Sequence, residues 1–451
     1  MKNLELILEK ISGLIWGNFL ILGLLGIGLF FTILTKGIQF RGFPLAIKEL
    51  IASIQGKNHE RGEGTLSSFQ ALCTALSSCV GNGNIVGVGT AIASGGPGAV
   101  FWMWIAGVVG MATKYAEIVL GIIYREKSED GTYVGGPMYY LSKGLKLKKI
   151  AFLFALLMFL QICGGALIQS NAVSIVMKDV FDIKPLTTGI SMSIVIFLIV
   201  AGGVRRLGKV AEKLIPFMTM IYFFGGLVII FLHINHLPHV IMSILESAFR
   251  TEAVGGGILG YGIKRAVRYG VARGLYSNEA GEGSAPVLHS AAITDHPARQ
   301  GLFGLLEVFI DTVIICSLTS FIVLTSGVIE QDISPAVYVI TAFGNIHPIF
   351  RYIIGISMVL FAFSTVLSQW YFGNVTLTYM FNSRVANLFK YVFCCLAIAG
   401  SLSSLKIVWD FQDVILGFMV IPNIVALLLL SKQIKTATDE FFIKVRKEQW
   451  C

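Results

Sequence analysis

The chain has 451 residues, of which 55% are hydrophobic and only 14% charged, and its formal net charge is +9. A water-soluble surface needs roughly 25% charged residues, so composition excludes a soluble globular protein and requires a bilayer around most of the chain. The excess of Lys and Arg does not mark a nucleic-acid binder, because these residues sit in the gaps between apolar stretches and do not gather on one folded surface.

The first apolar stretch, Gly13 to Thr35, is too long for the core of a signal peptide and lacks a small-residue cleavage pattern, so it reads as a span. At roughly 20 apolar residues per crossing, spans are predicted at 13–35, 66–94, 97–124, 150–177, 187–203, 211–232, 240–265, 300–326, 352–380, 391–405 and 409–430. The expected fold is all-α and integral to the membrane, with about eleven transmembrane helices. Alternate gaps hold 27 of the 35 Lys and Arg, which places the C-terminal tail, 431–451, in the cytoplasm and the N-terminus outside the plasma membrane. The seven cysteines lie mainly inside spans without a C-x-x-C pair, so neither a disulfide framework nor a metal cluster is expected.

Setting aside an N-terminal unit, 1–40, with one helix, ten spans remain, five in 66–233 and five in 240–430. An odd number of helices per half turns the second half upside down relative to the first. That is the plan of inverted-repeat transporters, in which glycine-interrupted spans at matching positions point to the binding site. The first span of the first half is interrupted at Gly81-Asn82-Gly83-Asn84, and the first span of the second half at Gly255-Gly256-Gly257-Ile258-Leu259-Gly260. Glycine costs about 1 kcal/mol against alanine inside a helix, and unwound backbone at membrane depth is tolerated only inside protein or beside a water-filled cavity.

An interrupted helix offers free N–H groups to a carboxylate and free carbonyls to a cation. The amides around Asn82 and Gly83, with the Asn84 side chain, are predicted to hold a substrate carboxylate. The carbonyls of Ser77 and Val80 are predicted to face sodium. Ser364 and Thr365, at the same depth in the ninth span, supply hydroxyl oxygens of the kind a hard cation prefers, although such hydroxyls commonly bond back to their own helix. Gln161, Gln169 and Asn171 of the fourth span either line the cavity or cross-link helices. Gly255 to Gly260 also matches G-x-G-x-x-G, but it lacks the preceding strand of a dinucleotide fold.

Carboxylates inside spans are functional candidates. Lys114 and Glu117, three apart on one helical face, are expected to neutralise each other, whereas Glu307 and Asp311 have no cation nearby in sequence and leave proton coupling open. The histidines show no H-E-x-x-H or other ligand spacing, and no hydrolytic site stands out.

The runs GNGNIVGVGTAIASGGPGAVFWMWIAGVVGMATKYAE, DGTYVGGPMYY, YGVARGLYSNEAGEGSAP, HPARQGLFGLLEVFIDT and FAFSTVLSQWYFG resemble the alanine or glycine:cation symporter family, over residues 13 to 430 or so. The resemblance implies a LeuT-type five-plus-five inverted fold with one extra N-terminal helix, and sodium-driven uptake of alanine, glycine or a similar small amino acid. It implies no cofactor other than sodium as coupling ion. It also carries a sodium-ligand role to Ser77, Val80, Phe361, Ser364 and Thr365.

The chain departs from the family pattern at several points. Asn82 stands where threonine is usual in the first break. Gln369 stands where tryptophan is usual, with Trp370 one place later, and Glu282 replaces a usual leucine; Glu307 is also atypical. A smaller, polar wall at Gln369 admits a larger or more polar substrate such as glutamine. The substrate-site candidates are therefore Asn82, Gly83, Asn84, Gln169, Gly256, Gly257, Gly260 and Gln369. A proton-coupled amino acid carrier is the nearest alternative, ahead of a channel or a membrane enzyme.

Overall fold

The computed structural model describes residues 18–56, 62–249, 261–403 and 406–449, with Ile11 and Ile15. Helix α1 covers Asn18–Leu34 and α2 Phe43–Ile54. Helix α3, Ser68–Cys79, starts on a capping box: Ser67 Oγ accepts the Gln70 amide at 3.1 Å and Gln70 Oε1 accepts the Ser67 amide at 3.2 Å. Two donors that a helix start leaves open are thereby satisfied. The helix stops at Val80, whose extended backbone (φ −76°, ψ 93°) ends the ladder. The chain resumes through a π-helical turn, Gly83–Gly87, into α4, Val88–Gly95, and the two pieces are bent by 52°.

Next come α5 (Gly98–Ile123), a short strand pair of Glu126–Lys127 with Tyr133–Val134, α6 (Lys148–Phe181), α7 (Pro185–Val200) and α8 (Gly203–Leu232). The second part holds α9 (Leu237–Phe249), α10 (Tyr261–Asn278), α11 (Ala285–His289) and α12 (Pro297–Thr325), the last carrying a π-helical stretch at Phe309–Cys316. Helices α13 (Pro348–Met380), α14 (Ser383–Leu402), α15 (Lys406–Leu429) and α16 (Ser431–Gln449) complete it. Among the described residues, seven helices are long and apolar enough to cross a bilayer, or eight when the bent α3 and α4 pair counts as one span.

The bundle keeps an apolar surface outside and buries polar side chains among an apolar core inside. The apolar window of α5 is 83% buried, whereas that of α8 is only 28% buried. Phe217, Phe224 and Phe231 of α8 are each more than half exposed, an arrangement that lipid tolerates and water does not. Small residues bring the inner helices close. A Cβ on Gly270 of α10 would stand 2.2 Å from the Ala99 carbonyl of α5, and one on Gly304 of α12 would stand 2.6 Å from Ile118 of α5.

The glycine run Gly255–Gly260, and with it Gly256, Gly257 and Gly260, lies outside the described residues. An interruption does occur further along, between α10 and α11, where Glu279, Gly281 and Gly283 take φ values of 54°, 94° and 84°. The start of the gap predicted between the seventh and eighth spans is helical, and Lys264, Arg265, Arg268 and Arg273 lie in α10. Its Ala266, Val271 and Leu275 are buried, and it packs along α5 because Gly270 and Gly274 leave room for Ala99 and Met103.

Candidate functional site

The break after α3 and the break after α10 border one small cavity. Gly81 and Gly83 come from the first, while Tyr276, Ser277, Glu279 and Glu282 come from the end of α10 and the turn that follows. Helix α6 contributes Gln161 and Gln169, α13 contributes Thr365 and Gln369, and α15 contributes Gln412. Its open volume is about 60 Å³. One water needs roughly 10–15 Å³ on this measure and fills about 30 Å³ of liquid, so the space matches roughly four to six waters, or one short amino acid.

Hydrogen bonds hold each wall. Asn84 is fully buried and does not line the cavity. Its Nδ2 donates to Asp311 Oδ1 (2.6 Å) and Ser277 Oγ (2.9 Å), and its Oδ1 accepts the Gly81 amide at 2.8 Å. This side chain therefore fixes the first break and is not available to a carboxylate. The Asn82 and Gly83 amides stand at the start of the outgoing helix, where a helix leaves N–H groups without an intrahelical partner; Gly83 lines the cavity and Asn82 does not. Asn82 Nδ2 reaches Gln169 Oε1 at 3.5 Å, and Asn82 Oδ1 is buried with no partner among the described residues.

On the opposite wall, the Glu279 carboxylate accepts from Ser78 Oγ (2.6 Å) and Ser284 Oγ (2.5 Å), which ties the second break to α3. Behind it, Glu117 of α5 accepts the Gly281 and Gly283 amides at 3.3 and 3.0 Å, and the Asn423 Nδ2 group at 2.6 Å. Lys114 was expected to pair with Glu117. It instead meets Glu307 Oε1 at 2.9 Å and donates to the Asn278 carbonyl at 2.7 Å. The other Glu307 oxygen contacts His289 Nε2 at 3.1 Å. Gln300 Nε2 lies 2.8 Å from His289 Nδ1, so the ring is held between Gln300 and Glu307.

Asp311 is different. It is wholly buried, and its oxygens accept from the uncharged donors Asn84, Ser277 (3.0 Å) and Thr312 (2.9 Å). It joins the first break, the end of α10 and the π-helical stretch of α12.

The five sodium candidates fall on two packed helices, the C-terminal end of α3 and the middle of α13. All five are buried, and Thr365 alone of them reaches the cavity lining. A Cβ on Gly81 would stand 2.9 Å from Thr365 Oγ1, so only glycine lets that hydroxyl approach the break. Ser364 and Thr365 hydroxyls both donate to the Phe361 carbonyl, at 2.8 and 3.1 Å, and Ser77 Oγ donates to the Thr74 carbonyl at 2.6 Å. Back-bonding of this kind uses the protons and leaves oxygen lone pairs for a cation. Of the α6 candidates, Gln161 and Gln169 line the cavity, while Asn171 donates to the Ser403 carbonyl at 2.7 Å and cross-links helices. Sequence reasoning missed Glu279, Tyr276, Ser277 and Gln412. The signal for the first three was the E-A-G-E-G run, two glycines at turn spacing ahead of Pro286.

Interrupted helices around a shared polar cavity, inside a bundle with an apolar outer face, define a membrane transporter and not an enzyme. The chain is a multi-pass membrane protein that belongs to the sodium:alanine symporter family, whose model matches residues 1–450. It is 37% identical to the sodium/alanine symporter AgcS of Methanococcus maripaludis, covering 98% of either chain. It is 35% identical to the probable sodium/glutamine symporter GlnT of Bacillus subtilis, over 97% of this chain and 91% of that one. A crystal structure of MhsT in complex with L-phenylalanine aligns with 84% of this chain and 93% of its own, with a TM-score of 0.57 at 15% identity, a likeness of fold.

Proposed function

We propose that the chain couples the inward flow of sodium to the uptake of a small neutral amino acid, alanine-like or more polar, by alternating access. The observation that carries this reading is the meeting of two helix breaks of opposite chemistry in one small polar cavity, with Thr365 against the first and Glu279 in the second. The substrate carboxylate rests on the Asn82 and Gly83 amides at a helix start, and its ammonium meets Glu279. Sodium is held by the carbonyls of Ser77 and Val80 and the hydroxyls of Ser364 and Thr365, an all-oxygen set suited to a hard cation, while the Phe361 carbonyl orients those two hydroxyls by accepting both.

In this reading ten membrane spans follow α1, arranged as two inverted sets of five that begin with the interrupted α3–α4 and α10–α11 pairs. The N-terminus lies outside the plasma membrane and the C-terminus in the cytoplasm. The names of AgcS and GlnT support sodium as coupling ion and bracket the substrate between alanine and glutamine.

Proton coupling is the second reading, favoured by Asp311, a buried carboxylate met by uncharged donors. The purified protein in proteoliposomes separates the two. Replacing external sodium with choline at fixed pH abolishes uptake under sodium coupling. Uptake that survives this exchange and follows an imposed proton gradient rejects it.

A further inference from the structure

A groove on the outer face of the bundle stands apart from the transport cavity. It lies between the chain turn at 141–147, the start of α6 and the C-terminal half of α15, and its open volume is about 510 Å³, within the range of small-molecule sites. Every residue that lines it is apolar. Leu153 of α6 and Phe418, Ile421 and Val425 of α15 are each about half exposed. The local backbone shapes this opening. The chain passes through a π-helical turn, Tyr140–Gly144, and Lys146 takes a φ of 60° before α6 begins. On the other wall, Pro422 inside α15 has no N–H for its helix ladder. Along α6 the lining runs from Leu147 to Leu157, a rise of about 15 Å, which is half the hydrocarbon thickness of a bilayer.

The mouth of the groove is basic. Lys143, Lys146, Lys148 and Lys149 interleave with the lining residues Leu145, Leu147 and Ile150. Lys143 pairs with Glu126, whereas Lys146, Lys148 and Lys149 are exposed and make no ion pair among the described residues. No Asp or Glu occurs from 131 to 178 or from 414 to 438, so neither wall repels an anion. The apolar Leu147 is the N-cap of α6 and provides no side-chain cap, so the first N–H groups of that helix are open at the same end.

An apolar slot one leaflet deep, beneath three unpaired cations, has the chemistry that receives an acyl chain joined to a negative headgroup. We propose that this groove binds one anionic phospholipid, with an acyl chain laid between α6 and α15 and the phosphate at Lys146, Lys148 and Lys149, in the leaflet that the charge distribution assigns to the cytoplasm. Basic pockets between helices on that side suit such headgroups, and each lysine near an anionic headgroup supports about fivefold in affinity, or about 1 kcal/mol. A zwitterionic lipid sets its own ammonium against the same lysines. A second copy of the chain docked here about a twofold axis sets the lysines against their own kind.

The test is native mass spectrometry of the full-length protein in neutral detergent, titrated with dioleoylphosphatidylglycerol or with dioleoylphosphatidylcholine. The first phosphatidylglycerol is expected to be retained at a concentration at least about tenfold lower than the first phosphatidylcholine. Lys146→Gln, Lys148→Gln and Lys149→Gln together erase most of that difference. Neutralising Arg205, Lys209 and Lys213, three exposed cations of α8 that the charge rule places on the same side, leaves it intact. Leu153→Trp fills the groove and weakens the first phosphatidylglycerol by a similar factor, and Ile421→Trp on the other wall replaces it if that variant fails to fold. Equal retention of the two lipids overturns the proposal. So does a preference that survives the lysine changes or falls equally with the α8 control, a groove-filling variant that binds like the native protein, or free oleate that binds as tightly as phosphatidylglycerol.

Discussion

Replacing Lys114 with methionine is the sharpest structural perturbation available, because it removes one charge of a pair held in the centre of the bundle. Lys114 and Glu307 are 0% and 1% exposed and 2.9 Å apart. At an effective dielectric of about 20 their attraction is about 6 kcal/mol, a gain largely offset by the cost of taking both charges out of water. Removing one partner exposes that cost, and breaking such pairs typically destabilises by about 3–5 kcal/mol. The Asn278 carbonyl loses its ammonium donor at the same time. This residue is the last of α10 before the second break, so uptake is expected to fall along with stability.

The assay is a double-mutant cycle of Lys114→Met, Glu307→Gln and both together. Each protein is purified in detergent, and its apparent melting temperature is read from the folded fraction left after heating. A 150–250-residue domain shifts roughly 2–4 °C per kcal/mol, and a larger chain less, so each single variant is expected to melt several degrees low. The double variant recovers much of that loss, with a coupling of about 2 kcal/mol or more. Additive losses, or a methionine variant that melts like the native protein, refute the pairing as the source of stability.

Three further outcomes are expected. Ser364→Ala and Thr365→Ala each raise the sodium concentration for half-maximal uptake by about threefold to tenfold, whereas an unchanged sodium dependence removes them from the ion site. Gln369→Trp fills the wall opposite Gly165 and narrows the competition profile toward glycine and alanine, and an unaltered profile shows that the side chain does not meet substrate. Outside the spans, burial pushes the Asp295 carboxyl up, but the Arg299 guanidinium at 2.8 Å and the Lys444 ammonium at 3.1 Å together hold it below its ordinary value of 3.8. Its stabilising contribution is therefore fully present above that value and is lost as pH falls through the lowered one. Because the site is half exposed, it amounts to a fraction of 1 kcal/mol. Asp295→Asn is accordingly expected to speed proteolysis of α16 at pH 7, with an effect that shrinks as the pH is taken below 3.8; equal cleavage at pH 7 rejects the tie.

The two breaks differ in how legible they were, for a physical reason. Gly81-Asn82-Gly83 interrupts an otherwise apolar stretch, so a search for lipid-compatible length exposes it at once. Helix α10 carries Lys264, Arg265, Arg268 and Arg273 and fails that search, although Gly270, Val271, Gly274, Leu275 and Asn278 repeat at helical spacing and form the face that α5 covers. Its arginines lie near the rings of its own Tyr269 and Tyr276, at about 6 Å, so their apolar stems share the helix surface while the buried stripe faces inward. Hydropathy measures contact with lipid, and α10 gets its apolar surroundings from protein. Lys114 and Glu117 misled for a related reason: spacing along one helix names a local partner, while Glu307 and the Gly281 and Gly283 amides arrive from α12 and from the second break. A transporter's cavity is built from such segments, too polar to meet lipid and too enclosed to meet bulk water. Their partners are set by how the helices pack, so the residues nearest the cargo are the ones that local sequence describes least well.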